Sequence, residues 1–319
     1  MDVKVILPLV ILSSQIASAQ LVTESFGSGA NAFSMDFVTI GNPGNAADTT
    51  GLPNPVGAVA YTYQIGKYEV SRDMILKATS AGGLGITLND MTINGGNGAN
   101  RPATGVSWNE AARFVNWLNT SKGYQAAYNF TTSGANDNIT LWGAGQYSGS
   151  NQFRHKDAIY VLPSVDEWYK AAFGSPSGTW YDFAGGSDTA PTAVASGTLP
   201  NTAVFGKSSS AGPADITNAG GLSPYGTMGQ GGNVWELSET AYDGDGKNNS
   251  ATENREMRGG SYILGTTTAL SASGRSSTGP AVENVYFGFR VAALIPEPST
   301  SLLVVLGLGG LLLKRRKTA

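Results

Sequence analysis

Apolar positions follow two rhythms along this chain. In "AVAYTYQIGKYEV" they alternate with polar ones, which predicts a strand. In "SRDMILKATSAGG" they fall at helical spacing, which predicts a short helix that begins at Ser71 and stops at Gly82-Gly83. The stretch "GVSWNEAARFVNWLNTSKG" sets Ala111, Phe114, Val115 and Leu118 on one helical face; Ser107 and Glu110 form a capping box ahead of them, and Gly123 can end the helix. "LPSVDEWYKAAFG" repeats the device, with Ser164 and Glu167 as the box and Gly174 as the stop. Trp108, Trp117 and Trp168 read as core anchors of these helices. From Gly174 to Gly232 the chain is loops and turns, and a region that long is functional or ordered by an ion. The stretches "EMRGGSYIL" and "VYFGFRVAAL" predict closing strands. No period repeats along the chain, which argues against a solenoid.

Both ends carry signals of another kind. Residues 1–19 combine Lys4, the apolar run Val5 to Leu12 and Ala17-Ser18-Ala19, the pattern of a secretory signal cut before Gln20. Residues 20–35 read as a flexible lead-in. At the other end, Pro296-Glu297-Pro298 precedes a short apolar helix and the basic run Lys314 to Lys317, which would stay on the cytoplasmic side. This order, over 294–319, resembles the PEP-CTERM sorting signal of Gram-negative bacteria. That resemblance implies an exosortase-type sorting machinery as partner, with an uncleaved anchor as the alternative. Either way the mature domain lies outside the cytoplasm, in the cell envelope, at the outer surface or in the extracellular space.

Composition agrees with export. Charged residues make up 13% of the 319, about half the usual share, and apolar residues 41%. The formal net charge of −3 becomes −7 once the four basic tail residues are set aside, so nothing here has the electrostatic footprint of nucleic-acid binding. There is no cysteine and a single histidine, His155.

Five stretches occur in order: "ATGVSWNEAARFVNWLN", "LPSVDEWYKAAF", "GGNVWELSE", "MRGGSY" and "GFRVA". Together they resemble the sulfatase-modifying-factor family, the formylglycine-generating-enzyme domain, over residues 36–293. The resemblance implies an α+β fold of C-type-lectin-like architecture, loop-rich with little regular secondary structure. It also implies chemistry that the residues must supply. Members that oxidise a sulfatase cysteine hold copper with two thiolates, soft ligands for a soft ion. The matching positions here resemble Leu264 and Ala269. Relatives that form carbon–sulfur bonds hold iron through three histidines, and this chain has one. His155 therefore reads as a surface or hydrogen-bonding residue, and Glu167 as a capping residue rather than a general acid. "DGDGKNN", Asp243 to Asn249, fails the EF-hand pattern at Lys247 and reads as an acidic turn.

Calcium is the cofactor the resemblance leaves open. It implies a structural ion held by the carbonyls of Gly232 and Val234 and the carboxylate of Glu236, with hard oxygen ligands in a loop. The fourth family ligand falls at Gly229, which has no side chain. An ion pair of Glu236 with Arg258 or Arg290 is the competing role. A second family site begins at an Asn resembling Asn201, without an evident acidic partner. The resulting expectation is an exported, non-catalytic domain that binds polysaccharide or a surface protein. An enzyme of unknown chemistry and a purely structural surface protein are the alternatives.

Overall fold

The computed structural model describes residues 20–131, 139–243 and 248–295. The expected signal peptide and the expected tail lie outside them, as does part of the Asp243–Asn249 turn. In chain order the strands are β1 (Leu21–Phe26), β2 (Phe33–Ile40), β3 (Tyr63–Gly66), β4 (Asn129–Phe130), β5 (Ile139–Thr140), β6 (Tyr160–Val161), β7 (Thr192–Ala193), β8 (Thr202–Ala203), β9 (Trp235–Ala241), β10 (Arg255–Arg258), β11 (Ser276–Thr278), β12 (Phe287–Gly288) and β13 (Ala292–Leu294). The α-helices are α1 (Arg72–Gly82), α2 (Trp108–Thr120) and α3 (Val165–Phe173). None of the described helices is long and apolar enough to cross a membrane.

All three helices start where their caps require. The Ser107 and Ser164 hydroxyls accept from the amides of Glu110 and Glu167, and both carboxylates return a bond to the cap backbone. Ser71 caps α1 in the same way, and Gly83 ends it in the left-handed region at φ 62°. Such caps satisfy amides that the first helical turn leaves open. Trp108 and Trp168 are fully buried and Trp117 nearly so, as expected of anchors.

Two sheets frame the domain. The larger runs β1-β2-β3-β13-β6 and is antiparallel throughout. The smaller runs β11-β10-β9-β12, with β12 parallel to β9. Helix α2 packs beside β6 and α1, and α3 packs beside β9. Two short ribbons, β4-β5 and β7-β8, lie among the loops.

Two expectations need correction. Residues 20–35 are not a flexible lead-in: β1 pairs with β2 from Leu21↔Val38 to Phe26↔Phe33. The strand is held by its inner end, where Phe26 stacks on Phe33 and meets Tyr160 edge-on, and both phenylalanines are buried. The stretch "GGNVWELSE" is also only half a loop. From Trp235 onward it is β9, a central strand of the smaller sheet, so its carboxylates enter the interior.

Candidate functional site

The turn before β9 is built around Asn233. Its φ of 60° places it in the left-handed region, which an asparagine tolerates. Its Oδ1 accepts from the Ala214 amide at 2.8 Å, and its Nδ2 donates to Glu69 Oε2 at 2.6 Å. Gly232 must lack a side chain, because a Cβ there would lie 2.4 Å from the Val204 carbonyl oxygen. Glu236 then points inward, with no exposure.

The expected calcium ligands can be tested against this geometry. Arg290 donates to both oxygens of Glu236, each at 2.5 Å, and the Trp168 indole donates to Oε2 at 2.6 Å. A guanidinium fork already engages both carboxylate oxygens, and its positive charge would repel a dication beside them. With both oxygens engaged by Arg290, the Glu236 carboxylate does not fit a calcium ligand as arranged. The carboxylate takes the competing role, an ion pair with Arg290. Arg258 pairs instead with Glu256 at 2.7 Å.

One residue missed in the sequence completes this cluster. Glu69, between β3 and α1, is buried and lies against Gly229: a Cβ at Gly229 would stand 3.2 Å from its carboxyl carbon. The space that a side chain at 229 would fill thus belongs to Glu69. Burial pushes the Glu69 carboxyl well above the usual carboxylate range, and Glu236 adds to the push, while Arg290 and Asn233 oppose it. Its Oε1 has no hydrogen-bond partner. At the second family position, Asn201 has a φ of 53° and an unpartnered buried Oδ1, while Asp215 lies 3.5 Å from Arg101. Among the described residues no three His, Asp or Glu side chains converge as a metal set.

The positions that resemble the copper pair are nevertheless neighbours. A Cβ on Gly260 would approach Leu264 Cδ1 at 3.3 Å and the Ala269 carbonyl carbon at 3.5 Å. The fold brings the two residues to one place, and both are apolar. His155 is far from a ligand's exposure. It packs edge-on against Trp142 with centroids 4.7 Å apart, and its Nδ1 accepts from the Asp157 amide at 3.2 Å.

A second cluster lies under an open cleft of about 860 Å³. Arg154 bridges two buried carboxylates: Nε donates to Glu239 Oε2 at 2.9 Å, and Nη1 and Nη2 donate to Glu167 Oε1 and Oε2 at 2.9 Å each. Burial disfavours the Arg154 charge, but Glu167 and Glu239 more than offset it and hold the guanidinium ionised. Burial likewise raises Glu167, and Arg154 outweighs that and pulls it below its usual range. Tyr61 donates to Glu167 Oε1 at 2.6 Å, which leaves its partly exposed ring held in place at the cleft wall. Asn151, Lys156, Asp157 and Ser164 supply polar groups around it, and Ile159 and Leu294 supply apolar ones. Of the residues that organise this floor, Arg154 and Glu167 are 13 positions apart, and Glu239 is 85 from Arg154. Only the capping role of Glu167 carried a signal.

The fold has solved counterparts. Treponema denticola variable protein 1 superposes with a TM-score of 0.56 at 20% identity, covering 85% of this chain and 99% of that one. CarF gives 0.54 at 20% identity over 82% and 99%. PvdO from Pseudomonas aeruginosa gives 0.53 at 17% identity over 85% and 98%. At such identities the likeness concerns the fold alone. No curated protein matches the chain. The Sulfatase-modifying factor enzyme 1-like domain matches residues 36–295, spanning both sheets except β1 and the start of β2, all three helices and the Glu236–Arg290 pair. The chain belongs to the sulfatase-modifying factor enzyme 1-like domain family.

Proposed function

We propose that this protein is an exported, non-catalytic member of its family that binds polysaccharide at the cell surface or in the extracellular matrix. The observation that carries the reading is the pair Leu264 and Ala269. They stand together beside Gly260, where the enzymes of the family resemble them in position, and neither side chain can bind a metal or pass electrons. The scaffold persists while the groups that would do that chemistry are replaced by packing.

The cleft over Arg154 supports the ligand class. A saccharide presents hydroxyls around weakly apolar ring faces. The cleft offers a fixed Tyr61 ring, polar side chains at Lys156, Asp157 and Ser164, and an apolar strip at Ile159 and Leu294. Export rests on the leader over 1–19 and the Pro-Glu-Pro, apolar and basic segments over 294–319. These make an exosortase-type machinery the partner in sorting.

The test is retention of the protein on extracellular polysaccharide of its host, with oxygen uptake in the presence of a thiol substrate measured in parallel. Retention that is lost on Tyr61→Ala while the domain stays folded is the expected result. Oxygen uptake with stoichiometric bound copper or iron would overturn the non-catalytic reading. Failure to bind any polysaccharide would favour a structural surface protein.

A further inference from the structure

We propose that Gln20 becomes the amino-terminal residue of the mature chain and closes on itself to pyroglutamate. The inference rests on the export reading, because it needs the leader to be cut after Ala19.

Gln20 is exposed, and β1 starts at the next residue. The Gln20 carbonyl is pinned from the neighbouring strand by Thr39, whose amide donates at 3.0 Å and whose hydroxyl donates at 3.2 Å. The residue is thus held at its carboxyl side. Its carboxamide makes no hydrogen bond to the described residues. Leader removal would free its α-amine beside that carboxamide.

The acidic side chains of the strand pair, Glu24 and Asp36, lie opposite Met35 and Thr23 rather than beside Gln20. Both have other partners: Asp36 accepts from the Thr23 hydroxyl at 2.7 Å, and Glu24 pairs with Lys122. An unpaired α-amine titrates near about pH 8, so a useful fraction is the free nucleophile under ordinary conditions. In the reaction the α-nitrogen attacks the side-chain Cδ. A C–N bond forms in a five-membered ring and the Cδ–Nε2 bond breaks. The displaced nitrogen leaves as ammonia, carrying the proton released by the α-amine. No oxidant, reductant or co-reactant enters. The Gln20 carbonyl remains in place, so both bonds from Thr39 survive.

The ring removes a terminal positive charge and the free amine that aminopeptidases grip. That protects β1, an edge strand whose inner end carries the buried Phe26.

The full chain, expressed in its own host and purified by mild means, is examined by intact mass and amino-terminal sequencing. The expected product begins at Gln20, lacks the mass of one ammonia, and is closed to sequential degradation. Pyroglutamyl aminopeptidase then opens it to read Leu21-Val22-Thr23. A Gln20→Ala chain should be open from the start. A product that begins at Gln20 and keeps a free amine through long incubation near about pH 8 would overturn the cyclisation and leave export standing. A product that begins elsewhere would overturn both the proposal and the cleavage site it rests on.

Discussion

Arg290, on the segment between β12 and β13, holds Glu236 of β9 through two hydrogen bonds of 2.5 Å, with both side chains fully buried. The same guanidinium reaches the carbonyls of Gly66 at 2.9 Å and Met228 at 2.8 Å, so it ties the smaller sheet to the end of β3 and to the loop before β9. Removing one partner would leave a buried charge and several unpaired carbonyls.

Arg290→Met is therefore expected to cost about 3–5 kcal/mol, measured by urea unfolding. Chelator and millimolar calcium should leave the melting temperature of the unaltered protein where it was. A clear rise with calcium, lost in Glu236→Gln, would show that the carboxylate serves an ion after all.

The two capping boxes look alike in sequence and differ in the structure. Glu110 takes backbone bonds from Ser107 at its own helix start and from Thr87, whereas Glu167 also anchors Arg154 and Tyr61. Glu110→Gln should cost under about 1 kcal/mol and Glu167→Gln about 2–3 kcal/mol, since only the latter also breaks a two-bond pair with a buried guanidinium. Equal losses in denaturant titrations would remove the distinction.

Lys170 gives a pH signature. It is buried, donates to the Asn42 carbonyl at 2.9 Å, and burial pushes its ammonium down to about 8. The folded protein sheds this proton before the unfolded chain does. Its contribution is therefore unfavourable below about pH 8 and is relieved as pH climbs toward the ordinary lysine value of about 10.4. Lys170→Met should raise stability near neutrality, and the gain should shrink steadily above about pH 8. A gain that stays constant with pH would mean that the residue does not titrate in this range.

A chain shortened to begin at Asp36 would keep the part that matches the family and lose β1 with Phe26 and Phe33. Two buried phenylalanines are worth about 1.5–3 kcal/mol each. The shortened domain should melt earlier and expose the face of β2. A melting temperature equal to that of the longer chain would show that β1 is dispensable.

The helices were legible because their signals are local: a hydroxyl, a carboxylate three residues on, and an apolar stripe. The tryptophans were legible because they share those stripes. β1 was not, since "LVTESF" lies just after the expected leader and at an edge with few buried positions. Glu69 was not, because an acidic residue in "KYEV" looks like the wet side of a strand; only Gly229, remote in sequence, makes room for it. The Arg290 partnership was one of two options for Glu236, and choosing between them required knowing which arginine crosses from the last strands to β9. The cleft floor joins residues 154, 167 and 239, a pairing that no spacing announces.

The place of β13 in the larger sheet has a consequence for assembly. Ala292–Leu294 lie between β3 and β6, so the first strands of the domain and the sixth are joined only by its last residues. Until those residues are available the sheet is in two pieces, and the long loop closures delay its completion. A chain emerging amino-terminus first, whether from a ribosome or from a narrow channel, would stay open and threadable for nearly its whole length. It would lock only when its end arrived.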